Sequence, residues 1–121
     1  MSAHVIYGDP VGKPRQTRRD RWKIRPCVAQ YRAWADLARL TVWGKTHKKT
    51  LTKPTRLTVR AFFTPPAKEH RVGPHTVKCD ADNILKSVMD ALFLNDQMVY
   101  KASIEKLWSD GSSPRVEVEI V

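Results

Sequence analysis

Residues 78–96 read KCDADNILKSVMDALFLND and gather aspartates, amides and a lysine around one short amphipathic segment. The spacing of the apolar residues predicts a helix over residues 83–93, with Asp80 or Asp82 available as its N-cap. On a helix with about 3.6 residues per turn, Asp82, Lys86 and Asp90 share one arc of roughly 100°, while apolar side chains fill the rest. One side of this helix is therefore predicted to pack, and the other to carry chemistry.

The chain around this stretch is strongly basic. Its 121 residues include 22 Lys and Arg against 12 Asp and Glu, which gives a formal net charge of +10. Such a charge favours a polyanionic partner, and a local group of acids weakens that attraction. We therefore expect the acids to hold a cation, and a nuclease is the first hypothesis.

Composition limits the other classes of protein. With 41% hydrophobic residues, the 121-residue chain is predicted to be one domain, residues 1–121, that folds on its own core. No apolar run reaches the ~18 residues of a membrane span, and the N-terminus lacks the pattern of a signal peptide. Cys27 and Cys79 are too few for a disulfide framework and are expected to be reduced thiols. The expected location is the cytoplasm, with no membrane partner.

Hydrophobic periodicity predicts further elements on both sides of the acidic stretch. Apolar residues at helical spacing follow Pro26 and end at Gly44. Alternating patterns predict strands over residues 4–7, 57–63, 99–108 and 115–121. Between the last two strands, Asp110-Gly111 predicts a hairpin turn. Together these elements predict a small α/β (α+β) domain, with a mixed sheet of about four strands and two main helices packed on it.

Residues 11–25 are rich in cations and have almost no apolar spacing, which predicts a loop. We expect this basic loop to bind DNA by neutralising phosphates. Its DNA-binding candidates are Lys13, Arg15, Arg18, Arg19, Arg21 and Lys23. Trp22 lies among them and either stacks on an unpaired base or covers the core from the surface.

Hydrolysis of a phosphodiester needs an activated water, neutralisation of phosphoryl charge and stabilisation of the leaving alkoxide, all of which Mg²⁺ ions can supply. Mg²⁺ favours the oxygen ligands of a few carboxylates. Asp80, Asp82 and Asp96 suit this role if the chain folds back to bring the third aspartate to the first two. Lys86, one turn into the helix, is a candidate to stabilise the scissile phosphate or the leaving oxygen.

The same residues allow structural interpretations. The aspartates can cap the helix, and Lys86 can form an i,i+4 ion pair with Asp82 or Asp90. An EF-hand is excluded, because apolar residues occupy positions that need an oxygen ligand and a glycine. A zinc site is a further alternative, although its spacing matches none of the usual signatures. Its candidate ligands are His70, His75, Cys79 and Cys27.

The acidic stretch resembles the signature of the RusA-type Holliday junction resolvases. That signature combines D-x-D-N-x-x-K, a D-A-L helix end, D-D-x-x-V and a lysine on the next strand. The matching segments are KCDADNILK at 78–86, DAL at 90–92, NDQMV at 95–99, and Lys106. The opening GDPV at 8–11, the basic loop and the helix from Gln30 are also similar to the family, so the likeness covers nearly the whole chain.

The resemblance implies a homodimeric endonuclease of mixed α/β fold that uses Mg²⁺, for which Mn²⁺ can substitute, and cuts four-way DNA junctions symmetrically. Such enzymes are frequent in phages and prophages and work at the nucleoid of a bacterial or phage-infected cell. The resemblance places the metal-binding and catalytic carboxylates at Asp80, Asp82 and Asp96, and the catalytic lysine at Lys86. The supporting residues are Asn83, Asp90, Asn95 and Lys106.

This sequence departs from the family's pattern at three positions. Cys79 stands where proline is common, and Ala81 stands where a larger apolar residue is common. Asn95 replaces the first aspartate of the usual pair, which lowers the negative charge of the site. A role of that position in metal binding is therefore open.

Three functional hypotheses follow. The first is a junction resolvase, the second is a metal-dependent nuclease of flaps, forks or other branched DNA, and the third is a non-catalytic DNA-binding module with structural acids. Two cuts at related positions require two sites, which a C₂ homodimer provides most simply. The terminal strand, with Val118, Ile120 and Val121, is a candidate contributor to the dimer interface.

Overall fold

The chain alternates strands and helices around one sheet. The computed structural model describes residues 2–15, 23–65, 73–77, 80–109 and 113–121. Its helices are α1 (Pro26–Trp43) and α2 (Ala81–Leu92), and a 3₁₀ turn (Asp96–Met98) follows α2. Its strands are β1 (Ser2–Tyr7), β2 (Thr55–Phe63), β3 (Val99–Trp108) and β4 (Arg115–Ile120). The prediction of a small α/β domain with about four strands and two main helices is confirmed.

The sheet is mixed, with the strand order β1-β4-β2-β3. β4 pairs antiparallel with both β1 and β2, whereas β2 and β3 run parallel. The connection between parallel strands passes through α2, which therefore runs back along the sheet from the end of β2 to the start of β3. Ile84 near the start of α2 packs on Phe63 and Trp108, the last residues of the two parallel strands.

The predicted hairpin between β3 and β4 is wrong, because β2 lies between these two strands. Val116 and Val118 are buried, which suits β4 to an interior position, whereas much of β3 is exposed and lies at the edge. A turn dipeptide reports only the local backbone and not which strand becomes the neighbour. Asp110 and Gly111 themselves lie outside the described residues.

The interior position of β4 also corrects the expected dimer surface. A strand with partners on both sides has no free edge to offer a second copy. Val118 belongs to the core, and Ile120 packs against it from a partly buried position. Only Val121, beyond the end of β4, is substantially exposed. The free edges among the described strands belong to β1 and β3.

One face of the sheet carries both helices and the core. Leu57 and Val59 of β2 are buried against them. The buried positions are Val28, Tyr31, Trp34, Ala35, Ala38 and Val42 in α1, and Ile84, Ser87, Val88, Ala91 and Leu92 in α2. α1 ends as predicted at Gly44, which adopts a left-handed φ of 70° and donates its backbone N–H to the Leu40 carbonyl. The predicted packing faces of both helices are confirmed.

Side chains of α1 hold the C-terminal end of α2. Arg39 Nη1 donates to the Ala91 carbonyl at 3.2 Å, and Trp43 Nε1 donates to the Leu92 carbonyl at 3.0 Å. The last carbonyls of a helix have no partner within it, and α2 has no basic residue in its last turn. Arg39 thus supplies both a hydrogen bond and a cation at the negative end of the α2 dipole.

Candidate active site and nucleic-acid cleft

Two carboxylates stand at the N-terminal end of α2. Asp80 is the N-cap residue, but its side chain makes no capping hydrogen bond. Asp82 lies in the first turn, and both residues are exposed. Neither carboxylate forms an ion pair or hydrogen bond with any residue that the structure describes. The positive end of the helix dipole stabilises both charges and leaves their oxygens available to a cation.

Lys86 lies one turn further along α2 and is exposed. The i+4 residue, Asp90, is instead paired with Lys13 of the basic loop through Oδ2 and Nζ. Within the described part of the chain, Lys86 has no ion pair with Asp82 or Asp90, so the i,i+4 alternative is not observed. The Lys86 ammonium group therefore remains available to an anion close to the carboxylates.

Asp96 lies at the other end of α2. It begins the 3₁₀ turn that follows the helix, and a helix of 12 residues is about 18 Å long. β3 starts beside Thr55, at the opposite end of β2 from Phe63. No three Asp, Glu, His or Cys side chains among the described residues are grouped so that they could hold a metal ion. Within the described part of one chain, Asp96 is therefore not grouped with Asp80 and Asp82, because the crossover helix separates them.

Asn95 is committed to the backbone. Its Oδ1 accepts the Leu51 N–H at 2.7 Å, and its Nδ2 donates to the Leu51 carbonyl at 2.8 Å. The Leu94 N–H also donates to the Lys49 carbonyl, at 3.0 Å. Asn95 therefore fixes the turn after α2 to a distant segment, and an aspartate there could not donate the second bond. No local sequence signal indicates this contact, since 44 positions separate the two residues.

Lys106 of β3 supports the segment that precedes the N-terminal end of α2. Its Nζ donates to the Val77 carbonyl at 2.9 Å, and its own carbonyl accepts the His75 N–H at 2.9 Å. The Trp108 N–H donates to the Gly73 carbonyl at 3.0 Å, so residues 73–77 run beside the end of β3. These bonds hold the segment that leads to Asp80.

A cleft of about 900 Å³ opens between α1, α2 and the start of the basic loop. Asn83 and Lys86 line it from the α2 side, which places the predicted lysine on its wall. The charged lining residues are Lys13, Arg15, Arg32, Arg39, Lys48 and Lys86, with Asp36 and Asp90. Cations therefore outnumber acids in this cleft, as a site for a polyanion requires.

The basic loop contributes to the cleft through Lys13 and Arg15. The Arg25 guanidinium donates to the Arg15 carbonyl and so links the last residue of the loop to its first part. Lys23 is exposed. The other predicted DNA-binding residues, together with Trp22, lie outside the described residues; they are Arg18, Arg19 and Arg21.

Tyr31 of α1 lines the same cleft, although its sequence context contains no signal that marks it as a site residue. Its hydroxyl donates to the Ser87 carbonyl at 3.2 Å. Burial, and then the carboxylate of Asp90, raise the pKa of Tyr31 to about 12, against an opposing effect of Arg39. The phenol is therefore protonated at neutral pH and acts as a hydrogen-bond donor that joins α1 to α2.

The candidate zinc ligands do not form a site within the described chain. His75 is buried between two aromatic rings, with ring centroids 3.9 Å from Phe63 and 4.4 Å from Trp108. Cys27 is exposed near the start of α1. His70 and Cys79 lie outside the described residues. His75 thus serves as part of the aromatic packing at the end of the sheet.

Exposed carboxylates at a helix start, a lysine one turn further along and a cleft lined by cations are compatible with a metal-dependent nuclease. The profile of the family described as endodeoxyribonuclease RusA matches residues 8–121, so the chain belongs to the RusA endodeoxyribonuclease family. It is therefore a metal-dependent endodeoxyribonuclease, and proteins of this family act on branched DNA junctions. The resemblance predicted from the acidic stretch is confirmed.

No curated protein matches the chain in sequence. None of the helices in the described residues has the length and apolar character needed to cross a membrane.

Proposed function

We propose that this protein resolves four-way (Holliday) DNA junctions by symmetric, Mg²⁺-dependent hydrolysis of phosphodiesters in DNA recombination and repair, at the nucleoid in the cytoplasm. The observation that carries the proposal is that Asp80, Asp82 and Lys86 have no partner among the described residues, and that the same helix lines a cleft rich in cations through Lys86 and Asn83. In a protein of net charge +10, exposed acids without a neutralising side chain suit a bound cation.

The donor set fits Mg²⁺. Asp80 and Asp82 offer hard carboxylate oxygens at an exposed helix start, where an ion can retain several of its waters. When bound, the ion supplies an activated water and neutralises charge on the phosphoryl oxygens. Lys86 would stabilise negative charge on the phosphate or the leaving oxygen. Mn²⁺ also accepts carboxylate and water ligands, and is expected to substitute.

The separation of Asp96 from Asp80 and Asp82 supports a homodimer as the working unit. We infer that Asp96 of a second copy completes the carboxylate set at the helix start of the first. By C₂ symmetry the same contact recurs, so that one dimer has two equivalent sites for two strands of a junction. Light scattering is then expected to give twice the 13.9 kDa chain mass.

A mixed dimer tests this arrangement. One subunit carries Asp82→Asn and the other carries Asp96→Asn, with different tags so that the heterodimer can be purified. If the sites are shared, both changes fall in one site and the other site is intact, so the heterodimer nicks one strand. If each site is built from one chain, both sites are damaged and neither strand is cut. The homodimers of each variant serve as inactive controls.

The substrate is tested by comparing a four-way junction, a fork, a flap and linear duplex, with and without Mg²⁺. Paired symmetric cuts in the junction, with slow or no cutting of the other forms, support a resolvase. If flaps or forks are cut as fast as the four-way junction or faster, the resolvase is rejected in favour of a nuclease of other branched DNA. If the protein binds these DNAs but cleaves none of them at any Mg²⁺ or Mn²⁺ concentration, the hypothesis of a non-catalytic DNA-binding module is the one that remains.

A further inference from the structure

The charges in the cleft between α1 and α2 are not all equivalent. Both acids are occupied by internal partners, because Asp36 pairs with Arg39 Nη2 and Asp90 pairs with Lys13 Nζ. In these two ion pairs, two acids and two cations of the cleft neutralise each other. The remaining lining cations are Arg15, Arg32, Lys48 and Lys86. The cleft therefore presents cations whose charge is not neutralised by an acid of its own wall.

Two of these cations come from a part of the chain that neither the sequence pattern nor the family resemblance assigns to DNA. Arg32 lies on the exposed side of α1, and Lys48 lies in the segment after α1. Both are exposed, and neither has an ion pair or side-chain hydrogen bond with another described residue.

The wall that bears these cations is held in place. Tyr31, one position before Arg32, donates to the Ser87 carbonyl, one position after Lys86. Lys49, one position after Lys48, donates its N–H to the Leu92 carbonyl at 2.9 Å. The backbone that carries the cations of the α1 side is thus fixed relative to α2 through buried or backbone contacts. Such a wall does not need to be ordered by the ligand, which lowers the entropic cost of binding.

We propose that α1 and the segment after it form the second wall of a phosphate-binding groove, in which Arg32 and Lys48 bind the phosphodiester backbone of the strand that passes Lys86. From Arg32 to Trp43, α1 extends about 16 Å, and one DNA strand carries a phosphate about every 3.4 Å along the axis. The wall is therefore long enough for several consecutive phosphates. One part of this proposal rests on the proposed function, namely that the phosphate beside Lys86 is the one that is cleaved.

The test compares two double variants that each lose one arginine and one lysine. Arg32→Ala/Lys48→Ala removes the cations of the groove. Arg56→Ala/Lys101→Ala is the matched control, because these residues are exposed and line a shallow depression on the sheet with Ser103 and Glu119. Arg56 alternates with the buried residues of β2 and so faces away from the helices. Light scattering and thermal unfolding verify that both variants keep the mass and fold of the parent.

Binding to a four-way junction is measured in EDTA over a range of salt concentrations. Each lost phosphate contact is expected to make the slope of log affinity against log salt shallower by about 0.9, and to weaken binding by up to about eightfold at 0.1 M salt. The groove variant should therefore lose up to about 1.8 of slope for each subunit that contacts the junction, and the control should match the parent. Arg32→Lys should retain most of the affinity. Equal slopes for the groove variant, the control and the parent would overturn the proposal.

A second measurement uses no substitution. Acetylation of lysines is compared with and without the junction, and Lys48 should be protected while Lys101 remains reactive. Unprotected Lys48 in a saturated complex would also overturn the proposal. The groove and the resolvase function can fail separately. If the groove variant has a shallower salt slope but the parent protein does not cleave the junction, the groove is supported and the resolvase function is rejected. If the parent resolves the junction normally but the groove variant has an unchanged salt slope, the resolvase function is supported and the groove is rejected.

Discussion

The two ends of α2 differ in how their polar groups are satisfied. At the C-terminal end, Arg39 and Trp43 donate to the last carbonyls, and Asn95 is bonded twice to Leu51. At the N-terminal end, Asp80 and Asp82 have no side-chain partner in the described structure. One end is thus held by contacts with distant segments, and the other presents its charges to a ligand. The same helix is held structurally at one end, and at the other end it leaves two carboxylates available to a ligand.

This difference separates stability from activity. A buried or partly buried hydrogen bond contributes about 0.5–1.5 kcal/mol, and more when one partner is charged. Exposed acids at a helix start lose little solvation and are favoured by the dipole by about 0.3–1 kcal/mol each. Substitutions at the N-terminal end should therefore change chemistry with little effect on stability. Substitutions near the C-terminal end should mainly change the free energy of unfolding.

The largest effect is expected from Asp82→Asn. Loss of a ligand carboxylate should reduce cleavage of the four-way junction by roughly 10³-fold or more, since metal binding accounts for several kcal/mol of transition-state stabilisation. Junction binding should persist or tighten, because the change also removes repulsion toward phosphate. Single-turnover cleavage and binding in EDTA measure the two effects. Asp36→Asn, which removes a carboxylate paired with Arg39, is the control and should cleave normally. Near-normal cleavage by Asp82→Asn at ordinary Mg²⁺ would remove this residue from the site.

Lys86→Ala should have the next largest effect. A cation beside the scissile phosphate acts mainly where charge develops, so turnover is expected to fall by roughly 10²–10³-fold with a much smaller change in affinity. Lys48→Ala provides the contrast, with weaker binding and normal turnover at saturating protein. Equal losses of binding and turnover in Lys86→Ala would reassign Lys86 to simple phosphate contact.

The C-terminal side is tested by Asn95→Ala. The change leaves the Leu51 N–H and carbonyl without their side-chain partners and should lower the free energy of unfolding by about 1–3 kcal/mol. Asn95→Asp keeps an acceptor for the N–H but loses the donor, so it should also destabilise. Gln97→Ala, an exposed residue of the same turn, is the control. Urea unfolding gives the values, and an unchanged midpoint for Asn95→Ala would show that the turn is not held by these bonds.

Much of the fold follows from sequence because it depends on local periodicity. The buried positions of α1 recur at helical spacing, and β2 alternates buried and exposed residues along its length. The failures involve partners that are distant in sequence. β4 enters the sheet between β1 and β2, and Asn95 bonds to a residue 44 positions earlier. Neither pairing is encoded in a short window, since the whole core decides which strands become neighbours.

The candidate site divides in the same way. The helix that carries Asp80, Asp82 and Lys86 follows from the amphipathic pattern, and the structure leaves all three exposed. The position of Asp96 depends on the crossover direction, which places β3 parallel to β2 and its start at the far end of α2. The pairing of Asp90 with Lys13, rather than with Lys86, joins residues 77 positions apart. These long-range contacts determine which charges remain available, and a linear motif does not contain them.

The smallest effect is expected from Tyr31→Phe, which removes the 3.2 Å hydrogen bond to the Ser87 carbonyl and keeps the ring. The free energy of unfolding should fall by about 0.5–1.5 kcal/mol at neutral pH. Because the pKa of Tyr31 is raised from 10.0 to about 12, the native state keeps its proton where the unfolded state loses it. Unfolding then releases a proton, and stability falls as pH rises from about 10 toward 12. Phenylalanine has no hydroxyl proton to lose, so the variant lacks this pH dependence. The stability difference between parent and variant should therefore shrink above pH 10 in urea unfolding. If the difference in free energy of unfolding between parent and variant stays constant from pH 10 to pH 12, folding leaves the pKa of Tyr31 unchanged. In that case α1 and α2 are joined at this point by packing alone.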